Sequence, residues 1–361
     1  MRVIKLNFHG GDVYSCKEAV LDFSSNINPL GVPESFKKAL LEQIQEFTKY
    51  PDIHYRALRS ALGEYLEVTD TDCIVPGNGA VELLYKAIQQ SGKRRLVCLQ
   101  PTFSEYSRAA AQKGLELVQV AAFEKDFQEI NMDKLLAAAD KNSVVVLCNP
   151  NNPTGTLLRK AQLKQLAEEL QKRDALLIMD EAFMEFTPEP KTNSMLDQLQ
   201  NYSNLLIVKA ATKFFGMPGI RLGYAVSNHK ELIHAIQSSL EPWNVNTAAV
   251  IAGCTVLKDK EYIQSSRTWI SQERLFLFNE LSKIPQIKVY SSGANFHLVK
   301  LLAEITDGGE LKRCLLEKGL LIRTTDGFAG LDQSYIRLAV KDRASNQHLV
   351  KSLQEIYKKS L

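Results

Sequence analysis

The sequence predicts an α/β protein, with a large domain built on a mostly parallel seven-stranded sheet and a smaller α+β domain behind it. Seven short runs rich in β-branched residues or leucine alternate with amphipathic helical patterns, which is the order found in a helix-covered parallel sheet. These runs are 73–75, 96–99, 115–120, 144–148, 176–179, 205–208 and 221–226. After residue 250 a long helical stretch reaches residue 281, and four short strand-like runs follow it. This change indicates a second domain.

The pattern divides the chain into three parts. Residues 1–45 contain turn signals before a helix that starts near Pro33, and we expect them to pack across the active site and with the small domain. Residues 46–250 form the predicted large domain, and residues 251–361 form the predicted small domain. Within the large domain, the most clearly indicated helices are 80–90, 160–171 and 195–200.

Composition favours a globular protein that acts on a small molecule. The 361 residues are 45% hydrophobic and carry a net charge of only +3 with no basic stripe, so nucleic acid and anionic membranes have little support as partners. The six cysteines form neither a CxxC pair nor a compact disulfide framework, and no uncharged apolar run approaches the ~18 residues of a membrane span. We therefore expect a reducing cytoplasm and no metal site.

Two glycine- and proline-rich motifs follow predicted strands at the edge where ligands bind doubly wound sheets. In the first, residues 76–82 (PGNGAVE), Gly79 lets the backbone approach an anion, and the amide of Ala80 lies at a helix N-terminus that favours phosphate. A tight turn would explain this motif equally well. The second, residues 149–155 (NPNNPTG), is a rigid turn that aims the amide of Asn152 over the strand ends, and it is more specific.

Two charged residues follow the next strands. Asp180 comes directly after the run 176–179, and Lys213 lies in a loop after 205–208 that returns Arg221 eight positions later. A carboxylate at a strand end can simply cap a helix, and a loop lysine is usually a solvated charge. The spacing of Asp180 and Lys213 relative to Asn152 favours a catalytic role for them instead. A lysine that forms an imine needs a lowered pKa, which a desolvated pocket with cations nearby provides.

With these motifs the sequence resembles the class I and II aminotransferases and their relatives, the fold type I enzymes that depend on pyridoxal 5′-phosphate. The resemblance implies that Lys213 holds this cofactor as a Schiff base. It also implies that Asp180 pairs with the protonated pyridine nitrogen, which keeps the ring an electron sink. Arg221 matches the arginine that binds the cofactor phosphate, and Phe103 matches the aromatic residue that stacks on the ring.

Further cofactor contacts are implied by the same resemblance. They come from Gly79, Ala80, Asn152, Thr212 and Tyr50. Tyr50 matches a tyrosine that reaches the cofactor phosphate of the neighbouring subunit, so the resemblance implies a homodimer with shared active sites. One position departs from the pattern, because Ala210 stands where relatives usually have a phosphate-binding serine. The loss of one hydrogen bond is worth about 1 kcal/mol, so cofactor binding should survive.

Two groups of relatives fit the sequence: the threonine-phosphate decarboxylases of cobalamin biosynthesis and the histidinol-phosphate aminotransferases. The motifs shared with the decarboxylases span almost the whole chain, and the most specific is the run 22–31 (DFSSNINPLG). Phe183 separates the groups. The aminotransferases usually carry tyrosine at this position, where its hydroxyl bonds the cofactor 3′-oxygen, and phenylalanine cannot donate that bond. The decarboxylases carry phenylalanine, as this chain does.

The expected reaction is therefore decarboxylation of L-threonine O-3-phosphate to (R)-1-amino-2-propanol O-2-phosphate, with L-serine O-phosphate as a second candidate substrate. We expect Arg323, Arg337 and His9 to hold mainly the substrate phosphate, and Asn28 and Asn152 to complete the substrate site. In aminotransferases, however, the residue that matches Arg337 clamps the α-carboxylate, so the division of roles between the two arginines stays open.

Two alternatives remain. The first is a histidinol-phosphate aminotransferase that uses 2-oxoglutarate and glutamate. The second is a cofactor-binding transcription regulator, which would add an N-terminal DNA-binding domain, whereas only about 45 residues precede the large domain here. The presence of Lys213, Asp180 and Arg221 together favours an enzyme.

Overall fold

The computed structural model describes residues 9–302 and 307–359. The α-helices are α1 (Glu34–Glu42), α2 (Arg56–Leu66), α3 (Ala80–Gln90), α4 (Glu105–Lys113), α5 (Met132–Ala137), α6 (Lys160–Lys172), α7 (Pro190–Asn193), α8 (Ala211–Phe214), α9 (Lys230–Ser239), α10 (Thr247–Val256), α11 (Lys260–Ser282), α12 (Gly308–Leu316) and α13 (Arg343–Lys359). The strands are β1 (Leu21–Asp22), β2 (Ile74–Asn78), β3 (Arg95–Leu99), β4 (Glu116–Val120), β5 (Phe123–Glu124), β6 (Glu129–Ile130), β7 (Ser143–Cys148), β8 (Leu176–Asp180), β9 (Leu205–Ala210), β10 (Leu222–Ser227), β11 (Ile287–Val289), β12 (Phe296–Leu301), β13 (Leu320–Leu321), β14 (Arg323–Thr324) and β15 (Tyr335–Ala339).

Within these residues, seven strands form the main sheet, in the order β2-β10-β9-β8-β7-β3-β4. Neighbouring strands are parallel except for β10, which is antiparallel to both β2 and β9. The central strands β7, β8 and β9 are buried along their whole lengths, as strands covered on both faces must be. The predicted α/β fold with a mostly parallel seven-stranded sheet is therefore confirmed.

Two apolar clusters cover the two faces of this sheet. Val144 and Val146 of β7 belong to one cluster, whereas Val145 and Leu147 belong to the other. This alternation follows from the two-residue period of a strand, which sends successive side chains to opposite faces. Both faces of the sheet are therefore covered, and the carboxyl ends of its strands remain available for a site.

A second sheet, β11-β12-β15-β14, is antiparallel and comes from the C-terminal part of the chain. The short N-terminal strand β1 pairs in parallel with β13, and Ala339 donates its amide to the carbonyl of Phe23 at 2.9 Å. The chain before α1 thus contacts the C-terminal part. The two boundaries between the three predicted parts of the chain stay predictions, and residues 1–8 of the predicted N-terminal segment lie outside the described residues. No helix in the described ranges has the length and apolar character that a membrane crossing requires.

Two predicted helices differ from the observed ones. The predicted helix 195–200 is wrong, because only a 3₁₀ turn, Leu196–Gln198, forms there. The backbone hydrogen bonds here join residues three apart, from Gln198 to Met195 at 2.9 Å and from Leu199 to Leu196 at 3.3 Å, which is the 3₁₀ and not the α-helical spacing. The amide of Met195, which would have no partner at the start of a helix, donates to Glu181 Oε1 at 3.0 Å. The long helical stretch after residue 250 is divided at Asp259, whose side chain accepts a hydrogen bond from the amide of Tyr262 and caps α11.

A buried cluster of charges joins the carboxyl ends of β8 and β9. Lys209 Nζ lies 3.2 Å from Glu185 Oε1 and 3.3 Å from Glu181 Oε2, and only 4% of the lysine side chain is exposed. Burial by itself lowers the pKa of Lys209, but the carboxylates of Glu185 and Glu181 outweigh it, so the net pKa is raised. Glu181 also accepts a hydrogen bond from Ser194 Oγ at 2.6 Å. This cluster holds together β8, which ends at Asp180, and β9, which precedes Lys213.

We predict that Lys209→Met lowers the free energy of unfolding by about 3–5 kcal/mol, because it removes the buried cation from Glu181 and leaves Glu185 with only the longer contact to Arg267, at 3.7 Å. The measurement is urea unfolding followed by circular dichroism. Lys191→Met is the matched control, since Lys191 pairs with Glu67 where both side chains are mostly exposed, and its loss should cost at most about 1 kcal/mol. Equal losses in the two variants would contradict a structural role for the buried cluster.

Candidate active site

The strand register brings the ends of the central strands to one edge of the main sheet. Cys148 at the end of β7 lies opposite Asp180 at the end of β8, and Asp180 lies opposite Val208 of β9. Because β10 runs in the opposite direction, its first residue, Leu222, pairs with Asn78 at this same edge. The loops that follow β2, β3, β7, β8 and β9 therefore meet there, as ligand-binding loops of open α/β sheets do.

A cavity at this edge is lined by many of the residues that the sequence predicted for the site. They are Ala80, Phe103, Asn152, Asp180, Thr212, Lys213 and Arg221. Phe183 and Ala210 also line it, as does Cys148. The structure thus brings together side chains that lie more than 130 residues apart in the sequence.

Gly79 and Arg221 show that one wall of this cavity is shaped for an anion. Gly79 has a φ of +84°, and a Cβ built on it would collide with the guanidinium group of Arg221. Only glycine therefore permits this close approach between the backbone at the start of α3 and the arginine. The helix N-terminus and the guanidinium together match the phosphate of pyridoxal 5′-phosphate in charge.

Lys213 reaches the cavity from α8. Its Nζ lies 4.9 Å from the centroid of the Phe183 ring, and within the described ranges it forms no salt bridge. Burial, and after it the charge of Arg337, lower the pKa of Lys213 to about 8, although the Asp180 carboxylate opposes this shift. The partial exposure of the residue is towards the cavity that it lines. The amine can therefore be neutral, and nucleophilic, close to neutral pH.

Asp180 is 3% exposed and is held by two hydrogen bonds. Tyr106 donates its hydroxyl to Asp180 Oδ2 at 2.6 Å, and the amide of Ala182 donates to Oδ1 at 3.0 Å. Burial raises the pKa of Asp180, and these two donors, with Lys213, oppose the rise. A carboxylate in this position suits a cationic ring nitrogen, which would give Asp180 the salt-bridge partner that it lacks among the described residues.

The two predicted substrate arginines lie on facing positions of β14 and β15. Arg323 pairs in register with Arg337, and both side chains are almost fully buried. Arg337 donates from Nη1 to Asn152 Oδ1 at 2.6 Å and from Nη2 to the carbonyl of Ser24 at 2.7 Å, whereas its buried Nε has no hydrogen-bond partner among the residues that the structure describes. Arg323 donates to the carbonyl of Asp326 at 2.8 Å. Burial, and next the neighbouring Arg323, lower the pKa of Arg337 to about 9.

His9 lies at the border of the cavity. Its Nε2 is 2.9 Å from Glu105 Oε1, and its ring centroid is 5.9 Å from that of Phe103. The other oxygen of Glu105 accepts a hydrogen bond from the hydroxyl of Tyr85. His9 is therefore close to the predicted stacking residue, but it is already bound to a carboxylate.

Six of the predicted residues do not line this cavity: His9, Asn28, Tyr50, Gly79, Arg323 and Arg337. Tyr50 and Asn28 have other contacts. Tyr50 is 78% exposed and stacks on Trp243 with the ring centroids 4.5 Å apart. Asn28 is buried, and its amide nitrogen donates to the carbonyl of Phe214 and to Ser266 Oγ, each at 2.7 Å. In this chain alone, Asn28 therefore supports the segment that carries Lys213, and its contact with substrate stays a prediction.

Sequence reasoning missed Tyr106 and Cys148 as neighbours of Asp180. Tyr106 had one detectable signal, since it follows Phe103 by three residues in the first turn of a helix, and such positions share a face. The two rings meet edge to face at 5.7 Å. Cys148 gave no signal beyond its place at the end of an apolar strand.

Comparison with known proteins identifies the family. The model of the family described as aminotransferase class I and II matches residues 18–353. The chain belongs to this family.

Two relatives of this chain are named as decarboxylases. A protein of Caldanaerobacter subterraneus subsp. tengcongensis, provisionally named a threonine-phosphate decarboxylase, is 36% identical over 98% of this chain and 95% of the relative. The threonine-phosphate decarboxylase of Salmonella typhimurium is 32% identical over 96% of each chain. The crystal structure of the histidinol-phosphate aminotransferase from Clostridium acetobutylicum has a TM-score of 0.89 and 37% identity, and it covers 94% of this chain and 100% of that one.

Membership of the family confirms the predicted fold type and the predicted cofactor. As a member of this family, the protein is an enzyme that depends on pyridoxal 5′-phosphate. The cavity at the sheet edge fits this group, because it offers a buried carboxylate, an amine of lowered pKa and an anion-binding wall. The roles of the individual residues stay predictions, and both decarboxylases and aminotransferases are among the relatives.

We predict that the rate at which the cofactor-free protein captures pyridoxal 5′-phosphate rises with pH and levels off above about pH 8. Only the neutral amine of Lys213 can attack the cofactor aldehyde, and its pKa is lowered to about 8, so well below that pH the rate should change about tenfold per pH unit. The measurement is stopped-flow absorbance. Nα-acetyl-lysine, titrated in parallel, corrects for ionisation of the cofactor itself. A midpoint near 10 would mean that the capturing amine is not desolvated.

Proposed function

We propose that this enzyme decarboxylates L-threonine O-3-phosphate to (R)-1-amino-2-propanol O-2-phosphate, in the cytoplasm, for cobalamin biosynthesis. The observation that carries this choice is Phe183, which lines the cavity with its ring 4.9 Å from Lys213 Nζ and has no hydroxyl to donate. In this respect the site departs from the aminotransferase pattern. The names of the two relatives at 36% and 32% identity support the same reaction.

The facing arginines support a phosphorylated substrate. Two guanidinium groups on paired positions of neighbouring strands repel each other, and this repulsion adds to the larger effect of burial in lowering the pKa of Arg337. A phosphate dianion would relieve this repulsion better than a single carboxylate does, and its three oxygens match the planar donors of arginine. The unpartnered Nε of Arg337 offers one such donor. We therefore assign the phosphate mainly to Arg323 and Arg337, with His9 at the border of the site.

In the proposed reaction the bond between Cα and the carboxylate breaks, carbon dioxide leaves, and one proton is added at Cα. Pyridoxal 5′-phosphate, when bound, supplies the electron-withdrawing ring that stabilises the negative charge left at Cα. Asp180 would accept the hydrogen bond from the ring nitrogen and keep that nitrogen cationic. The cofactor phosphate would lie against Arg221, Thr212 and the amides of Gly79 and Ala80.

Orientation of the substrate decides which bond breaks. If the arginines hold the phosphate, they would not clamp the α-carboxylate, and this group would be free to leave as carbon dioxide. Lys213 would hold the cofactor in the resting enzyme. Because the pKa of its Nζ is about 8, this group can also exchange a proton near neutral pH, and we expect it to deliver the proton to Cα.

We further propose that the active enzyme is a homodimer whose subunits share their active sites. Tyr50 and Trp243 form an exposed stacked pair. Leu41, Ile44 and Phe47, just before Tyr50 in the chain, are also exposed apolar side chains, and an apolar face of this kind usually marks a protein interface. A second copy on this face would let Tyr50 reach the phosphate-binding wall of its partner.

A paired assay tests the proposed reaction. With O-phosphothreonine the enzyme should release carbon dioxide and form the amino-alcohol phosphate without consuming 2-oxoglutarate, which headspace carbon dioxide and mass spectrometry measure. Free threonine should be turned over at least about 100-fold less efficiently, because it leaves buried arginines without their anion. If histidinol phosphate with 2-oxoglutarate gives glutamate at the higher rate, the enzyme is an aminotransferase and the proposal is wrong.

Arg323→Ala is the companion variant for this assay. It should weaken kcat/KM for O-phosphothreonine by about 30-fold or more, the cost of losing a charge-assisted hydrogen bond to phosphate, and hardly change the low activity on threonine. Arg313→Ala is the control, since Arg313 is an exposed arginine of α12 that pairs with Glu310. If Arg323→Ala reduces both substrates by the same factor, Arg323 does not bind the phosphate.

A further inference from the structure

The hydroxyl of Tyr106 is a buried polar contact to Asp180 that the reaction proposed above does not use. We propose that Tyr106 is a positioning residue, which keeps the Asp180 carboxylate ionised and oriented so that the ring nitrogen of the cofactor, and not Asp180, carries the shared proton. This inference rests on the proposed cofactor site, but it holds for a decarboxylase and an aminotransferase alike.

The geometry of the contact is that of a strong, fixed hydrogen bond. The distance from Tyr106 Oη to Asp180 Oδ2 is 2.6 Å, which is short for a hydroxyl donating to a carboxylate, and both residues are fully or almost fully buried. The amide of Ala182 donates to the other oxygen, Oδ1, at 3.0 Å. Each oxygen of Asp180 therefore has one donor from the protein, and the remaining lone pairs are available towards the cavity.

The proton balance at Asp180 shows why this bond matters. Burial raises the pKa of the carboxylate, which by itself would favour a neutral Asp180. A neutral Asp180 could no longer hold a positive charge on the ring nitrogen, and the ring would be a weaker acceptor of electrons. The Tyr106 hydroxyl opposes the rise more strongly than Ala182 or Lys213 does.

Other groups near Asp180 cannot take over this task. Cys148 is its register neighbour on β7, but burial raises the pKa of the thiol, so the group stays neutral and donates only weakly. Glu181 points away, into the cluster with Lys209, and its charge disfavours ionised Asp180. Lys213 is opposite in charge but is needed for the cofactor itself.

The fold also holds the Tyr106 ring in one orientation. Tyr106 is fully buried between α3 and the sheet, in the apolar cluster that includes Leu83, Leu84 and Val146. Its edge-to-face contact with Phe103, at 85° between the ring planes, links it to the residue expected to stack on the cofactor. The short segment from Phe103 to Tyr106, at the start of α4, therefore carries both the residue expected to stack on the cofactor and the donor to the Asp180 carboxylate.

Tyr106→Phe tests the inference, because it removes the hydroxyl and keeps the ring contacts. The readout is nitrogen-15 NMR of enzyme loaded with cofactor labelled at the ring nitrogen, since the chemical shift separates protonated from unprotonated pyridine. We expect the variant signal to move towards the unprotonated value, with kcat reduced about 10- to 100-fold, or ~1.4–2.7 kcal/mol, and KM changed less than about threefold.

Tyr65→Phe is the matched control, since Tyr65 also donates its hydroxyl to a buried carboxylate, Glu185 Oε2 at 2.8 Å, but away from the cavity. Its nitrogen-15 signal should equal that of the parent. Replacement of Tyr106 by 3-fluorotyrosine, a stronger donor of the same shape, should keep the ring nitrogen protonated. A parent-like signal in Tyr106→Phe would overturn the inference while leaving the cofactor site intact. If the parent enzyme binds no labelled cofactor, the proposed site itself fails, and the inference with it.

Discussion

Two opposite charges, on Asp180 and Lys213, have to be held apart at the ends of neighbouring strands, in surroundings from which most water is removed. Burying either charge without a partner is unfavourable, and the simplest relief, a salt bridge between them, would close the cavity. The structure avoids this by separate means. Asp180 is stabilised by Tyr106 and Ala182, whereas Lys213 has a lowered pKa and can lose its charge.

The strands that carry this pair are fixed by a second set of charges, which is fully paired. Lys209 lies four residues before Lys213 and binds both Glu181 and Glu185, so the residues flanking the site are tied across β8 and β9. The ends of β8 and β9 therefore carry two sets of charges. Lys209 is paired with Glu181 and Glu185, whereas Asp180 and Lys213 form no salt bridge with each other. A ligand in the cavity can reach Asp180 and Lys213, and in the proposed site these two residues would be the partners of the ring nitrogen and the aldehyde of the cofactor.

The side of the site assigned to substrate is built from distant segments. Arg337 of β15 bonds Asn152 of the loop after β7, 185 residues away, and the carbonyl of Ser24 near the N-terminus. Arg337 is therefore one of the links between the small antiparallel sheet and the cofactor side, and the amide of Gly293, which donates to the carbonyl of Gly155 at 2.7 Å, is another. The proposed substrate side thus draws on the small sheet, the N-terminal segment and the loop after β7.

Much of the site could be predicted because its residues follow strands whose apolar pattern is clear. The order of Gly79, Asn152, Asp180 and Lys213 along the chain predicted their meeting at one edge, since carboxyl ends of parallel strands share an edge. Contacts that depend on packing could not be predicted in this way. Tyr106 reaches Asp180 only because α4 packs on the sheet in one orientation, and Glu181 binds the amide of Met195 only because the chain folds back to the end of β8.

Asn28 shows that a residue in a recognisable motif can have a supporting contact where a substrate contact was predicted. Its place in a specific N-terminal motif indicated a substrate contact, yet in the fold its amide holds the carbonyl of Phe214, next to Lys213, and the hydroxyl of Ser266. A motif can therefore mark a residue that supports the site through the backbone. Sequence alone does not distinguish such support from direct binding, because both place the residue at the same edge.

The central claim is that Lys213, and not its buried neighbour Lys209, is the lysine that binds the cofactor. Borohydride reduction of the cofactor-loaded enzyme makes the bond permanent, and peptide mass spectrometry after proteolysis then locates it. The account predicts that the added mass of the reduced pyridoxyl phosphate lies on Lys213, with Lys209 unmodified because both its carboxylate partners hold it charged and inaccessible. Modification at Lys209, or at exposed lysines with Lys213 left free, would contradict the account.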